Sequence, residues 1–206
     1  MATERLIVGM SGATGVIYGI RLLEVLKTVP DIETHLVISS AAGQTILQET
    51  DRSIKEVAAL ADVTYAFRDI GAAISSGSYK TLGMVVIPCA MKTLSGIAQS
   101  FSDNLLLRAA DVTLKDVRKL VLVTRETPLH LGHLRLMVQV TEMGGIIMPP
   151  MPAFYHQPKT VDDIINQTVN RVLDLFGIDL DADLFERWQG MKPVSQVKLP
   201  LDPPTG

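Results

Sequence analysis

Four times along this chain an uninterrupted apolar run leads into a polar or glycine-rich turn and then into a segment with helical apolar spacing. That alternation restricts the fold more than any other feature. The runs are Arg5-Leu6-Ile7-Val8-Gly9, Thr34-His35-Leu36-Val37-Ile38, Met84-Val85-Val86-Ile87 and Leu120-Val121-Leu122-Val123. The helical segments after them cover residues 16–26, 41–49, 93–99 and 129–142, and Gly145-Ile146-Ile147-Met148 closes the series. Successive strand side chains point to opposite faces, so a strand that is apolar at every position is buried on both. Such strands alternating with helices predict a three-layer α/β protein, doubly wound, with a mainly parallel sheet. At 206 residues, 47% of them hydrophobic, one domain over residues 1–178 is expected. The proline-bearing stretch 179–206 reads as a partly irregular tail that packs on the site or on a neighbouring subunit.

Composition then removes several function classes. A formal net charge of -3 supplies no basic face for nucleic acid. The single cysteine, Cys89, cannot form an internal disulfide, and the start of the sequence runs straight into a strand pattern with no leader character, so a cytoplasmic setting is expected. No apolar stretch approaches the ~20 residues of a membrane span. The apolar surplus must therefore serve a core or a subunit interface, and a homo-oligomer is expected.

Ligands of doubly wound sheets sit beyond the carboxyl ends of the strands. Those segments are Ser11-Gly12-Ala13-Thr14-Gly15, Ser39-Ser40, Pro88-Cys89-Ala90-Met91-Lys92-Thr93 and Thr124-Arg125-Glu126-Thr127-Pro128. In the first, small residues let backbone N–H groups approach an anion at the start of the next helix, and Thr14 adds a hydroxyl; a tight chain reversal is the plainer reading. The turn lacks a P-loop lysine, and Ser39 stands where a dinucleotide fold places a ribose-binding acid, so a mononucleotide is favoured. Arg125-Glu126 puts two charges where the crevice opens. Ser75-Ser76-Gly77-Ser78 reads either as an ordinary turn or as hydroxyls lining a pocket, and Arg108, Asp111 and Lys115 share a helix face that is ordinarily a solvated stripe.

Pro149 to Pro158 holds four prolines besides Tyr155 and must be extended, an arm able to present the Tyr155 hydroxyl; Met151 and Phe154 within it read as packing residues. Thr160 and Asp163, at capping-box spacing, start a last helix through Phe176. His35, His130, His133 and His156 show no metal-ligand spacing, so no metal is expected.

Together, Gly9-Met10-Ser11-Gly12-Ala13-Thr14-Gly15, Ser75-Ser76-Gly77-Ser78, Pro88-Cys89-Ala90-Met91-Lys92-Thr93-Leu94-Ser95-Gly96, Arg108-Ala109-Ala110-Asp111, Arg125-Glu126-Thr127-Pro128-Leu129 and Pro152-Ala153-Phe154-Tyr155-His156-Gln157-Pro158 resemble one family, the UbiX/Pad-type flavin prenyltransferases, from about residue 4 to about residue 190. The resemblance implies a Rossmann-like flavoprotein fold and the metal-independent transfer of a dimethylallyl group from dimethylallyl phosphate to reduced FMN. The prenylated FMN serves UbiD-type decarboxylases, most directly in ubiquinone biosynthesis. It implies FMN contacts at Gly12, Ala13, Thr14, Ser39, Ala90, Met91, Lys92, Thr93 and Arg125. It also implies prenyl-phosphate contacts at Tyr155 and Arg171 with Arg108 as a further cation, catalytic roles for Glu49, Glu126 and Lys115, and a covering role for Trp188. The family assembles as dodecamers with interfacial sites, so some of these residues are expected to act across subunits. Thr14 and Ala90 stand where many relatives carry Ser; Ala90 forgoes one side-chain donor, a loss of about 1 kcal/mol if a backbone N–H substitutes.

Two other classes suit the sequence less well. FMN-dependent cysteine decarboxylases share the fold but carry an Asn motif after the third strand, which residues 88–93 lack. A non-catalytic FMN carrier would leave Arg108, Lys115, Arg125, Tyr155 and Arg171 with no second phosphate to hold.

Overall fold

The structure is a computed structural model and describes residues 3–191. Six parallel strands form one sheet in the order β3-β2-β1-β4-β5-β6. They are β1 (Glu4–Met10), β2 (Ile32–Ile38), β3 (Val63–Tyr65), β4 (Gly83–Cys89), β5 (Lys119–Thr124) and β6 (Ile146–Ile147). The helices are α1 (Val16–Leu26), α2 (Ser40–Glu49), α3 (Ile54–Ala58), α4 (Met91–Ala98), α5 (Leu105–Lys115), α6 (Leu131–Glu142) and α7 (Val161–Phe176).

The expected burial of both strand faces is found residue by residue. Leu6, Val8 and Met10 of β1, Val85 and Ile87 of β4, and Val121 and Val123 of β5 enter a core that also holds Ile20 and Leu23 of α1, Ile46 of α2 and Val169 and Leu173 of α7. Their neighbours Ile7, Met84, Val86, Leu120 and Leu122 face the other way, onto Leu94 and Ile97 of α4, Leu106 and Ala110 of α5 and Val140 of α6. A period of two along each strand thus separates two helical layers around one sheet.

α7 starts where the sequence places it. The Thr160 hydroxyl accepts from Asp163 N (3.2 Å) while the Asp163 carboxylate accepts from Thr160 N (2.9 Å), a complete capping box, and Gly177 ends the helix with φ 70. Two short elements, α3 and β3, were not anticipated: five and three residues are too few to show a period. Long-range pairing fixes them. Asp62 takes hydrogen bonds from Thr34 N and Thr34 Oγ1, both at 2.7 Å, and donates its own N–H to Thr34 Oγ1 at 2.9 Å, holding β3 in register on β2.

Asp62→Ala leaves the buried Thr34 donors without their acceptor and is expected to cost about 1–3 kcal/mol, read as a lower denaturant midpoint. Donation from Thr34 N, the largest cause, lowers the Asp62 pKa below its ordinary 3.8. The carboxylate's contribution is therefore complete above that pH and fades as pH falls toward the lower folded value, so the gap between wild type and variant narrows in acid.

Candidate active site

The strand order reverses between β1 and β4, and in folds of this kind the crevice opens there, beyond the carboxyl ends. The four loops at that edge are tied to one another through the backbone. Ser39 N donates to Met10 O (3.0 Å), Ser11 N to Pro88 O (3.1 Å) and Arg125 N to Cys89 O (3.1 Å). Buried Ser11 locks the middle pair: its hydroxyl donates to Pro88 O (3.1 Å) and accepts from Ala90 N (2.8 Å). Pro88 offers no N–H of its own and sits where the β4–β5 register shifts between Val86 and Cys89, a place where a sheet tolerates proline.

Two helices begin at this edge. α2 is capped by Ser39, whose hydroxyl accepts from Ala42 N (3.0 Å), and α4 has Ala90 at its N-cap, where no side-chain cap forms among the described residues. First-turn N–H groups have no partner within a helix and carry the positive end of its dipole. Beside them lies a cavity of about 680 Å³, inside the range of small-molecule sites. On the side of the two helix starts its polar lining comes from Ser39, Ser40, Lys92 and Thr93, with Gln99, Asp103 and Asn104 elsewhere on the wall, and its apolar lining includes Phe67, Phe101, Leu106 and Leu107. A ligand with an anionic group and a flat apolar body suits such a lining. Gly12 makes the walls meet: a Cβ there would lie 2.3 Å from Ala41 Cβ in the first turn of α2. The fit to FMN rests on these features and on the Thr124 hydroxyl at the same edge, which is buried with no partner among the described residues.

Of the residues assigned by resemblance to FMN, Gly12, Ser39, Ala90, Lys92 and Thr93 line this cavity; Ala13, Thr14 and Arg125 belong to its bounding loops and Met91 opens α4, none of the four lining it. The last residue of the glycine turn is tied to α2. Gly15 takes φ 91, and the carboxylate of Glu49, at the far end of α2, accepts from Gly15 N (2.8 Å) and Val16 N (3.3 Å). The start of α1 thus already holds an anion from the protein. First-turn N–H groups without a capping side chain are found at α4. Cys89 is fully buried and burial pushes its thiol pKa up, which leaves it neutral and unsuited to nucleophilic work.

The remaining candidates do not join the cavity of their own chain. Arg108 donates to Asp111 (2.9 Å) and to Ser75 O (3.2 Å); Lys115 is exposed and pairs with Asp116 (2.8 Å). Arg118 donates to Gly77 O (2.6 Å) and the Ser76 and Ser78 hydroxyls bond each other, so the serine turn is braced locally and does not line this cavity. Glu126 is exposed and accepts from its neighbour Thr127 N (3.0 Å). Arg171 pairs with Asp174 (2.7 Å), and Tyr155 lies edge-on to Trp188 with ring centroids 5.7 Å apart. Met151 and Phe154, expected to pack, are 72% and 68% exposed. The extended arm that carries them projects outward.

Sequence reasoning missed several contributors, among them four that show why. Ser11 and Ala41 act through the backbone contacts they allow, and Phe67 and Asn104 reach the cavity from elements distant in sequence. A hydroxyl directly after a buried strand was the one legible sign, at Ser11.

Fold and cavity define an α/β protein that binds a mononucleotide-sized anion at a sheet switch point. The Flavoprotein family model matches residues 1–173. The chain is 68% identical over 187 residues to the flavin prenyltransferase UbiX of Escherichia coli, covering 91% of this chain and 99% of that protein. A dodecameric FMN-dependent UbiX-like decarboxylase from Escherichia coli superposes with a TM-score of 0.87 at 53% identity, covering 91% of this chain and all of that one. AnUbiX, solved in complex with FMN and dimethylallyl pyrophosphate, superposes with a TM-score of 0.89 at 49% identity, covering 92% of this chain and all of that one. This chain belongs to the UbiX flavin prenyltransferases of the Flavoprotein family.

Proposed function

We propose that this protein transfers a dimethylallyl group from dimethylallyl phosphate to reduced FMN. The observation that carries the reading is the cavity at the β1/β4 switch point, where Lys92 and the unpaired first turn of α4 meet hydroxyls of α2 beside an apolar wall. The relatives above add the chemistry: one is named for flavin prenyl transfer and one holds FMN with a prenyl diphosphate. When bound, reduced FMN supplies the nucleophilic ring atoms that take the prenyl group. The protein holds the FMN phosphate at α4 and Lys92, keeps water from the apolar wall and presents cations to the departing phosphate.

Roles follow by residue. Gly12, Ala13, Thr14, Ser39, Ala90, Met91, Lys92, Thr93 and Arg125 hold FMN. Tyr155, Arg171 and Arg108 take the prenyl phosphate, and Glu49, Glu126 and Lys115 handle protons and leaving-group charge. Because Arg108, Lys115, Tyr155 and Arg171 lie outside the cavity of their own chain, the complete site draws them from neighbouring copies. The exposed apolar face of α6, with Leu131 (60%), Leu134 (45%) and Val138 (57%), and the dodecameric relative support a dodecamer. No helix among the described residues is long and apolar enough to cross a membrane. We place the protein in the cytoplasm, passing prenylated FMN to a UbiD-type decarboxylase in ubiquinone biosynthesis.

Anaerobic incubation with reduced FMN and dimethylallyl phosphate, followed by mass spectrometry of the flavin, tests this. The flavin is expected to gain the mass of one prenyl group. An unshifted mass rejects the proposal.

A further inference from the structure

Tyr155 and Arg171 stand on separate stretches of chain, and one carboxylate links the surroundings of both. Asp174, one turn beyond Arg171 in α7, uses both oxygens: Oδ2 accepts from Arg171 Nη1 (2.7 Å) and Arg187 Nη1 (3.0 Å), and Oδ1 accepts from Arg187 Nη2 (2.8 Å). Arg187 is gripped again by Asp183, at 2.5 and 2.6 Å. Beside this clamp, Leu184 N donates to Asn170 Oδ1 of α7 (2.8 Å). The residue after Arg187 is Trp188, whose ring meets Tyr155 edge-on at 5.7 Å, and Phe185 meets the same ring at 6.4 Å.

We propose that Asp174 and Arg187 are positioning residues for the prenyl-phosphate half of the site. The Arg187 fork on Asp174 fastens the segment that carries Trp188 so that its ring backs Tyr155, and Asp174 aims Arg171. The inference rests on the assignment of Tyr155 and Arg171 to the prenyl donor.

Three physical points carry it. A guanidinium fork on a carboxylate fixes direction as well as distance, which a single ammonium cannot do. Asp174 engages Arg171 through Nη1 alone, and that side chain is 49% exposed, so the rest of its guanidinium can meet a phosphate. A bare carboxylate at this point would repel a dianion, and Arg187, shared with Asp183, offsets that charge in part. Partly exposed ion pairs add little to stability, so the arrangement acts through geometry and its loss should barely move unfolding.

The test uses the full chain with saturating reduced FMN and varied dimethylallyl phosphate, comparing Arg187→Met, Arg187→Lys and Asp174→Asn with Arg171→Ala as the reference for a lost phosphate contact. Arg187→Met is expected to raise KM for dimethylallyl phosphate about tenfold, with kcat and FMN affinity within about threefold of wild type. Arg187→Lys, which keeps the charge but not the fork, recovers only part of that. Trp188 is the single tryptophan, so acrylamide quenching of its fluorescence reads the segment directly and should rise in Arg187→Met without any substrate. An unchanged KM overturns the proposal whatever the quenching does, as does a fall in FMN affinity that parallels the rise in KM. If wild type forms no prenylated flavin, the functional reading fails and takes this inference with it.

Discussion

Gly12→Val is expected to lower FMN affinity about a hundredfold, close to 2.7 kcal/mol, while the sheet stays folded. The cause is backbone proximity. Even the first carbon of a side chain at Gly12 would lie 2.3 Å from Ala41 Cβ and 3.2 and 3.3 Å from the Ala41 carbonyl carbon and Cα. No rotamer of Ala41 relieves such contacts, because a Cβ moves only with its backbone, so the β1 loop and the first turn of α2 must separate. Those are two walls of the cavity, and Ser39 and Ser40 move with α2. Overpacking of this kind costs about 1–3 kcal/mol of stability, less than a domain of this size holds. Flavin titration with a parallel thermal melt separates the two effects. Gly12→Ala should show a weaker form of the defect, and Gly12→Ala with Ala41→Gly should recover much of it by removing the 2.3 Å contact. Wild-type FMN affinity in Gly12→Val would show that the walls tolerate separation and that Gly12 is incidental.

The layers of the fold were legible because the determining signals are local and strong. Uninterrupted runs such as Leu120 to Val123 admit few placements other than a doubly covered strand, and Thr160 with Asp163 marks a helix start by hydrogen-bond chemistry within four residues. β3 was hidden because three residues carry no period and its register comes from Asp62 on Thr34, a contact spanning 28 positions. The site divides along the same line. Loops after strands are found by topology, so Ser39, Lys92 and Thr93 were legible as cavity residues. Phe67 and Asn104 were not, because nothing in their own neighbourhoods distinguishes them from ordinary turn residues. Glu49 is the clearest case: nothing near it in the sequence says that its carboxylate caps the start of α1, 34 positions away.

Glu49→Gln separates the capping role that this placement gives the carboxylate from the proton transfer proposed for it. Oε2 accepts from Gly15 N at 2.8 Å and Val16 N at 3.3 Å, which makes Glu49 the cap of α1 supplied from another helix. Glutamine has the same reach and keeps an acceptor oxygen, so α1 should still begin at Val16, with a loss of about 0.3–1 kcal/mol from the missing charge at the helix dipole. What glutamine cannot do is take up or release a proton. If Glu49 moves a proton beside the flavin ring, prenylation should slow about a hundredfold or more, the scale of a lost general acid or base, with FMN bound as tightly as before. Single-turnover formation of prenylated FMN measures the rate, and flavin titration measures the binding. Glu49→Ala supplies the contrast, since it removes both the proton carrier and the acceptor for two backbone N–H groups, and should lower the melting temperature as well as the rate. A Gln variant that prenylates at the wild-type rate would assign Glu49 to the helix alone, and the proton would have to be carried by Glu126 or by the departing phosphate.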